Sequence, residues 1–302
     1  MTPPPEGRIW AGLPLTRPLV MGILNVTPDS FSDGGQRTDA DTAIRAGMQM
    51  AADGADIVDV GGESTRPGAS VVPPEVEQAR IVPVVRALAA AGVVVSVDTR
   101  NASTMRATLD AGARIINDIS GLAHDPAAAP LVAERGCPVV LMHMRGTPAT
   151  MNTLATYQDV LAEVRAELLD RLHAAIASGI RPDAIALDPG LGFAKHPEHS
   201  RAVLCRLAEL ATLGYPLLVG LSRKGFIGAL SDEPAADRRL GGSLAAGLFA
   251  VLHGASILRV HDVRETVQAI RVWQSLAFCG TVSPSQIPGE RDNHAGRSNK
   301  SA

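Results

Sequence analysis

The sequence predicts an α/β fold, a (β/α)8 TIM barrel forming a single domain, and three observations carry that reading. Eight short, β-branched segments alternate with longer helical stretches, the pattern of a parallel sheet buried on both faces. Caps or Pro open the helical stretches and Gly closes most of them. Polar residues gather just after the apolar segments along the whole chain, and in a barrel those positions line one mouth. An open doubly wound sheet shares the alternation but needs a reversal of strand order. Polar groups repeated around the entire chain favour closure.

The strands are read at 19–24, 57–60, 93–97, 115–117, 139–142, 185–187, 217–219 and 257–260, short and apolar throughout. Thr38 or Asp39 caps a helix running to Gly54, and Pro73-Pro74 opens one ending at Gly92. Asn101 caps a third, stopped near Gly112; Asp125-Pro126 begins a fourth, ending at Gly136. The longest, 157–178, ends at Gly179, and later helices fall at 198–212, 242–253 and 263–276. Residues 1–17 are a lead-in whose first dozen residues are Pro- and Gly-rich and expected to be peripheral, though Ile9 to Leu15 can form a short hairpin. The barrel spans 18–278. The tail 279–302 is rich in Ser, Gly, Pro and Asn, has little to bury and is expected to be disordered.

Hydrophobic residues at 46% and charged residues at 20% exclude a disordered or fibrous chain. A net charge of −3 lacks the basic character of a nucleic-acid binder. No apolar run approaches a membrane span, and MTPPPEGR does not start like a signal peptide. Cys137, Cys205 and Cys279 are odd in number and far apart, which suits neither a disulfide framework nor a zinc site. A soluble protein of a reducing cytoplasm, with no nucleic-acid or membrane partner, is expected.

Chemistry concentrates at the strand ends. The segment 25–35, NVTPDSFSDGG, is long for a simple turn. Its Asn25 can offer a carboxamide oxygen to a hard cation, and Phe31 can close over a ligand. In GGESTRPG, 61–68, the Gly pair admits a ligand to the backbone, Thr65 brings a hydroxyl, and Arg66 suits a phosphate oxyanion. Read alone, that segment is better explained by a Glu63–Arg66 salt bridge in a Gly/Pro turn. Asp98, Asn117 and Asp188 stand at three further strand ends. Singly, each Asp fits a helix cap. Together the three match a flat heterocycle with adjacent N–H and amino donors, because a carboxylate accepts two parallel hydrogen bonds. Phe193 can stack on or border such a ring, and Met142 can line it as a soft apolar wall.

Ser222-Arg223-Lys224 and Arg259-Val260-His261 end the last two units, where barrel enzymes frequently bind phosphate. Arg259 and His261 share one side of their strand. The mouth therefore sets an acidic floor against a cationic anion site, suited to a heterocycle joined to a phosphate or pyrophosphate. No Ser/His/Asp elbow, HExxH or Walker A motif occurs, so positioning and leaving-group stabilisation are expected rather than covalent catalysis.

With these motifs in order, the sequence resembles the dihydropteroate synthase family. The matching stretches are MGILNVTPDSFSDGG, ADIVDVGGESTRPG, VSVDT, INDISG, VVLMHMRGTP, LDPGLGFAK, LVGLSRKGFIG and RVHDV, spanning about 19–276. The resemblance implies a (β/α)8 barrel, a homodimer, and a reaction of 6-hydroxymethyl-7,8-dihydropterin pyrophosphate with p-aminobenzoate. It implies that Asp98, Asn117, Asp188 and Lys224 hold the pterin, with Met142 and Phe193 beside it. Asn25 then meets Mg²⁺, while Arg66, Arg259 and His261 meet the pyrophosphate. Phe31, Pro67 and Lys224 border the aminobenzoate, and Thr65 and Gly220 complete the substrate-binding set. Asp98, Lys224, Arg259 and His261 are the residues expected to act in catalysis. Family members often carry Ser after the SRK motif, where this chain has Gly225. A related pterin-binding methyltransferase would need neither the cationic site nor the 25–35 segment.

Overall fold

Two short strands, β1 (Ile9–Trp10) and β2 (Leu13–Pro14), pair antiparallel ahead of a closed barrel of parallel strands in the computed structural model, which describes residues 7–27, 36–64 and 71–277. The barrel strands are β3 (Leu19–Asn25), β4 (Ile57–Gly61), β5 (Val95–Asp98), β6 (Ile115–Asp118), β7 (Val139–Met142), β8 (Ile185–Asp188), β9 (Leu217–Gly220) and β10 (Ala255–Val260). They neighbour one another in chain order, and β10 pairs with β3 to close the ring.

Most ladders run one residue into the polar ends, because those residues keep parallel partners. One row joins Asn25 to Gly61, Gly61 to Asp98 and Asp98 to Asn117. The register thus places the candidate side chains side by side at the carboxyl ends of the strands. The strands are not apolar throughout: Asp59 on β4 and Ser96 on β5 are register partners and fully buried.

The helices outside the barrel are α1 (Gln36–Ala52), α2 (Pro74–Ala90), α3 (Ala102–Asp110), α4 (Ala128–Arg135), α5 (Val160–Ala177), α6 (Pro197–Cys205), α7 (Leu207–Ala211), α8 (Gly225–Ser231), α9 (Leu240–Leu252) and α10 (Val263–Ala277). Several starts differ from the sequence reading. Helix α1 begins at Gln36, so Thr38 and Asp39 lie inside its first turn. Asn101 precedes α3, but its side-chain amide donates to Glu77 Oε2 at 2.9 Å, and Asp125 takes the Ala102 N–H at 2.9 Å instead. Asp159 opens α5 by accepting from the N–H groups of Leu161 and Ala162. The stretch 198–212 breaks at Arg206, whose guanidinium is shared between Asp159 and Glu209. Helix α8 is an additional short helix after β9, masked in sequence by Gly225 and Gly228, which are poor helix formers.

The lower barrel is a dry plug. Leu19, Met21, Ile57, Ile115, Val140, Ala186, Leu218 and Ile257 fill it. The N-terminal hairpin is not peripheral but seals this end: Trp10 is 1% exposed and its indole N–H donates to the Ala184 carbonyl at 3.0 Å. Burying one large apolar side chain contributes about 1.5–3 kcal/mol. With the lower end closed in this way, the cavity lies in the upper half. Phe31, Thr65, Arg66, Pro67 and the tail 279–302 lie outside the described residues.

Candidate active site

A cavity of about 870 Å³ opens at the carboxyl ends of the strands. Asn25, Asp98, Asn117 and Asp188 line it, together with Met142, Phe193 and Gly220. Lys224, Arg259 and His261 line its other side. The described candidates therefore share one space, although they come from seven strands and three loops.

The floor is acidic and dry. Burial pushes the Asp98 carboxyl up to about 7, against the opposing pull of Arg259. Burial likewise raises Asp188 to about 6, countered by the Gly190 N–H, which donates to Asp188 Oδ1 at 2.7 Å. Ile119, Met142, Met144, Met151 and Ala194 form an apolar wall beside it, with Phe193 packed against them. Glycine is required where this wall meets the loop after β8. Gly190 has φ +64, and a Cβ there would lie 2.0 Å from the His143 carbonyl oxygen.

The cationic side is built by a strained turn. Arg223 has φ +60, a costly conformation for a non-glycine residue. Its N–H donates to Ser243 Oγ at 3.0 Å and its carbonyl accepts from Arg239 at 3.0 Å, which holds the turn. Its guanidinium is committed to Asp262. The next residue, Lys224, lies with Nζ 4.2 Å from the Phe193 ring centroid, a cation–π contact. Burial, aided by Arg259, lowers Lys224 to about 8.

Arg259 is bound inside the barrel. Its Nε donates to Asp59 Oδ2 at 2.6 Å and its Nη2 to Asp98 Oδ2 at 2.7 Å, both across the barrel interior. Burial opposes its charge, yet Asp59 and Asp98 hold its pKa above the ordinary value. His261 is less cationic than its place suggests. Burial, with Arg223 and Arg259 nearby, lowers it to about 4, so the ring is neutral at pH 7. Its Nδ1 lies 3.1 Å from Ser222 Oγ. If Ser222 donates there, the ring carries its proton on Nε2 as a neutral donor.

Near Asn25, the described residues hold no group of three or more His, Cys, Asp or Glu suited to a metal. One carboxamide oxygen at a cavity rim fits a hard cation held mainly by substrate phosphate oxygens and water. A Cβ at Gly225 would meet nothing within 4 Å, so this side of the cavity is open.

Residues 21–261 match the family described as pterin binding enzyme. The dihydropteroate synthase of Mycobacterium leprae is 52% identical over 260 residues, 84% of this chain and 91% of that protein. A Xanthomonas albilineans dihydropteroate synthase solved with 4-aminobenzoic acid has a TM-score of 0.84 and 47% identity, covering 88% of this chain and 96% of that one. The same organism's enzyme in complex with 7,8-dihydropteroate has a TM-score of 0.80 and 44% identity, covering 90% and 97%. The chain belongs to the dihydropteroate synthase family. It is therefore a transferase on a pterin-binding (β/α)8 barrel.

For a dihydropteroate synthase site, two buried groups had escaped the sequence reading. Asp59 was hidden inside an apolar run, although 57, 59 and 61 alternate onto one face. Lys195 donates to His143 Nδ1 at 2.8 Å and to the carbonyls of Gly190 and Phe193 at 3.1 and 3.0 Å. It thereby pins the loop that presents Phe193. Glu63 is bound to Arg100 at 3.0 Å; Arg66, its partner when that segment is read alone, lies outside the described residues.

Proposed function

We propose that this chain condenses 6-hydroxymethyl-7,8-dihydropterin pyrophosphate with p-aminobenzoate, giving 7,8-dihydropteroate and pyrophosphate. The observation that carries the reading is the meeting of an acceptor-rich floor with Arg259 and His261 in one cavity. Asp188 accepts from the amino and ring N–H edge of the pterin, with Asn117 and Asp98 beside it. Met142 and Phe193 border the ring, Gly220 leaves it room, and Lys224 reaches it from above Phe193. Arg259, the Nε2–H of His261, Arg66 and Thr65 receive the pyrophosphate. Phe31, Pro67 and Lys224 border the aminobenzoate.

The pterin C–O bond breaks and its electron pair leaves with pyrophosphate. Donors aimed at that developing charge lower the barrier. The positive charge left on the pterin methylene spreads into the ring, where Asp98 and Asp188 stabilise it. The arylamine lone pair then forms the C–N bond, and the nitrogen loses its proton. An aniline nitrogen is already unprotonated near neutral pH, so no strong base is needed. Asn25 would hold Mg²⁺, which would supply charge neutralisation to the leaving group.

The barrel is proposed to span 18–278, with 1–17 as its lead-in. Exposed Phe249 and Leu252 on α9, and Val272 and Leu276 on the adjacent α10, support a homodimer. No helix among the described residues is long and apolar enough to cross a membrane. The free thiols Cys137 and Cys205 support a reducing cytoplasm. Calorimetric titration of the protein with pterin pyrophosphate and Mg²⁺ tests the reading. Saturable binding that Asp188→Asn weakens is expected; no binding, or binding indifferent to Asp188, overturns it.

A further inference from the structure

Asp59 stands one layer below the cavity. It is fully buried and does not line the cavity, yet it touches two residues that do. Its Oδ2 accepts from Arg259 Nε at 2.6 Å and from Asn117 Nδ2 at 3.0 Å. Arg259 belongs to the anion end and Asn117 to the heterocycle floor, so one carboxylate oxygen ties the two ends together. The other oxygen, Oδ1, has no hydrogen-bond partner, nor has the hydroxyl of its register partner Ser96. A buried acid with an oxygen left unpaired is poorly explained by stability, since burying an ion pair costs desolvation that an apolar pair avoids.

The geometry constrains what the site offers. With Nδ2 of Asn117 given to Asp59, its carboxamide oxygen is the end left for the cavity. With Nε and one Nη2 N–H of Arg259 given to Asp59 and Asp98, Nη1 and the second Nη2 N–H are left for an anion. We propose that Asp59 is a positioning residue that fixes the Arg259 guanidinium and the Asn117 carboxamide in one arrangement for binding. This rests on the proposed reading of the site, and wild-type protein serves as its control.

The test is a double-mutant cycle on the full chain with Asp59→Asn, Arg259→Lys and both together. The readouts are the pyrophosphate inhibition constant, the pterin pyrophosphate KM, the p-aminobenzoate KM and Tm. The expected result is at least a fivefold rise in the first two constants for Asp59→Asn, with the p-aminobenzoate KM within about twofold. Its effect on pyrophosphate should be smaller in the Arg259→Lys background, because the two residues act as a unit. Pyrophosphate and pterin constants within twofold of wild type overturn the proposal, whatever Tm does, as does an equal rise in all three constants. If Asp59→Asn does not fold, Asn117→Ala decides. Coupling through Asp59 predicts at least threefold weaker pyrophosphate binding there, and an unchanged constant contradicts it. Failure of wild type to bind either ligand would instead refute the functional reading.

Discussion

Arg259 on β10 and Asp98 on β5, 161 residues apart, join across the barrel at 2.7 Å between Nη2 and Oδ2. The contact links the anion end of the cavity to its acidic floor. It also opposes the burial that pushes the Asp98 carboxyl up to about 7, and so favours the charged form.

Replacing Asp98 by Asn preserves shape and removes that charge. A hydrogen bond to a charged group contributes about 1.5–3 kcal/mol, so pterin affinity should fall about ten- to hundredfold. Calorimetry alongside thermal melting checks this. Normal pterin binding with a lowered Tm would make Asp98 structural.

Asp188→Asn should show its effect in the pH dependence of stability. The folded-state pKa of Asp188 is raised from its ordinary value to about 6. Its contribution is then full below about pH 4 and lost as pH rises through 6. The variant should therefore gain stability relative to wild type between pH 4 and pH 7, by about 2–3 kcal/mol. Urea unfolding of both proteins at the two pH values measures it, and a difference independent of pH would refute it.

His261 offers a neutral donor, so Gln should replace it better than Ala. His261→Gln is expected to retain pyrophosphate affinity within about tenfold, and His261→Ala to lose more, since a hydrogen bond to a charged group is at stake. Inhibition constants for pyrophosphate decide, and equal losses would show that the imidazolium charge is needed.

Much of this is legible in the sequence. Runs such as VVVSVD and the polar residue closing each run located the strands and the mouth. What stayed hidden depends on contacts distant in sequence. Asp59 meets Arg259 200 residues away, and Trp10 meets Ala184 174 residues away. Neither partner can be chosen from spacing alone. The neutrality of His261 was hidden too, because burial sets it rather than residue type.

The hairpin supplies a stability prediction separable from function. Trp10→Ala opens the sealed lower end and should destabilise the fold by about 3–5 kcal/mol. Because Trp10 packs beneath the cavity, KM values measured well below the melting transition should stay near wild type. Denaturant midpoints and kinetics on one preparation test this.

Pyrophosphate release, followed with and without p-aminobenzoate in the presence of pterin pyrophosphate and Mg²⁺, tests the central claim most directly. The account predicts release that requires both organic substrates, in step with dihydropteroate formation. No release with both present, or release at the same rate without p-aminobenzoate, would contradict it.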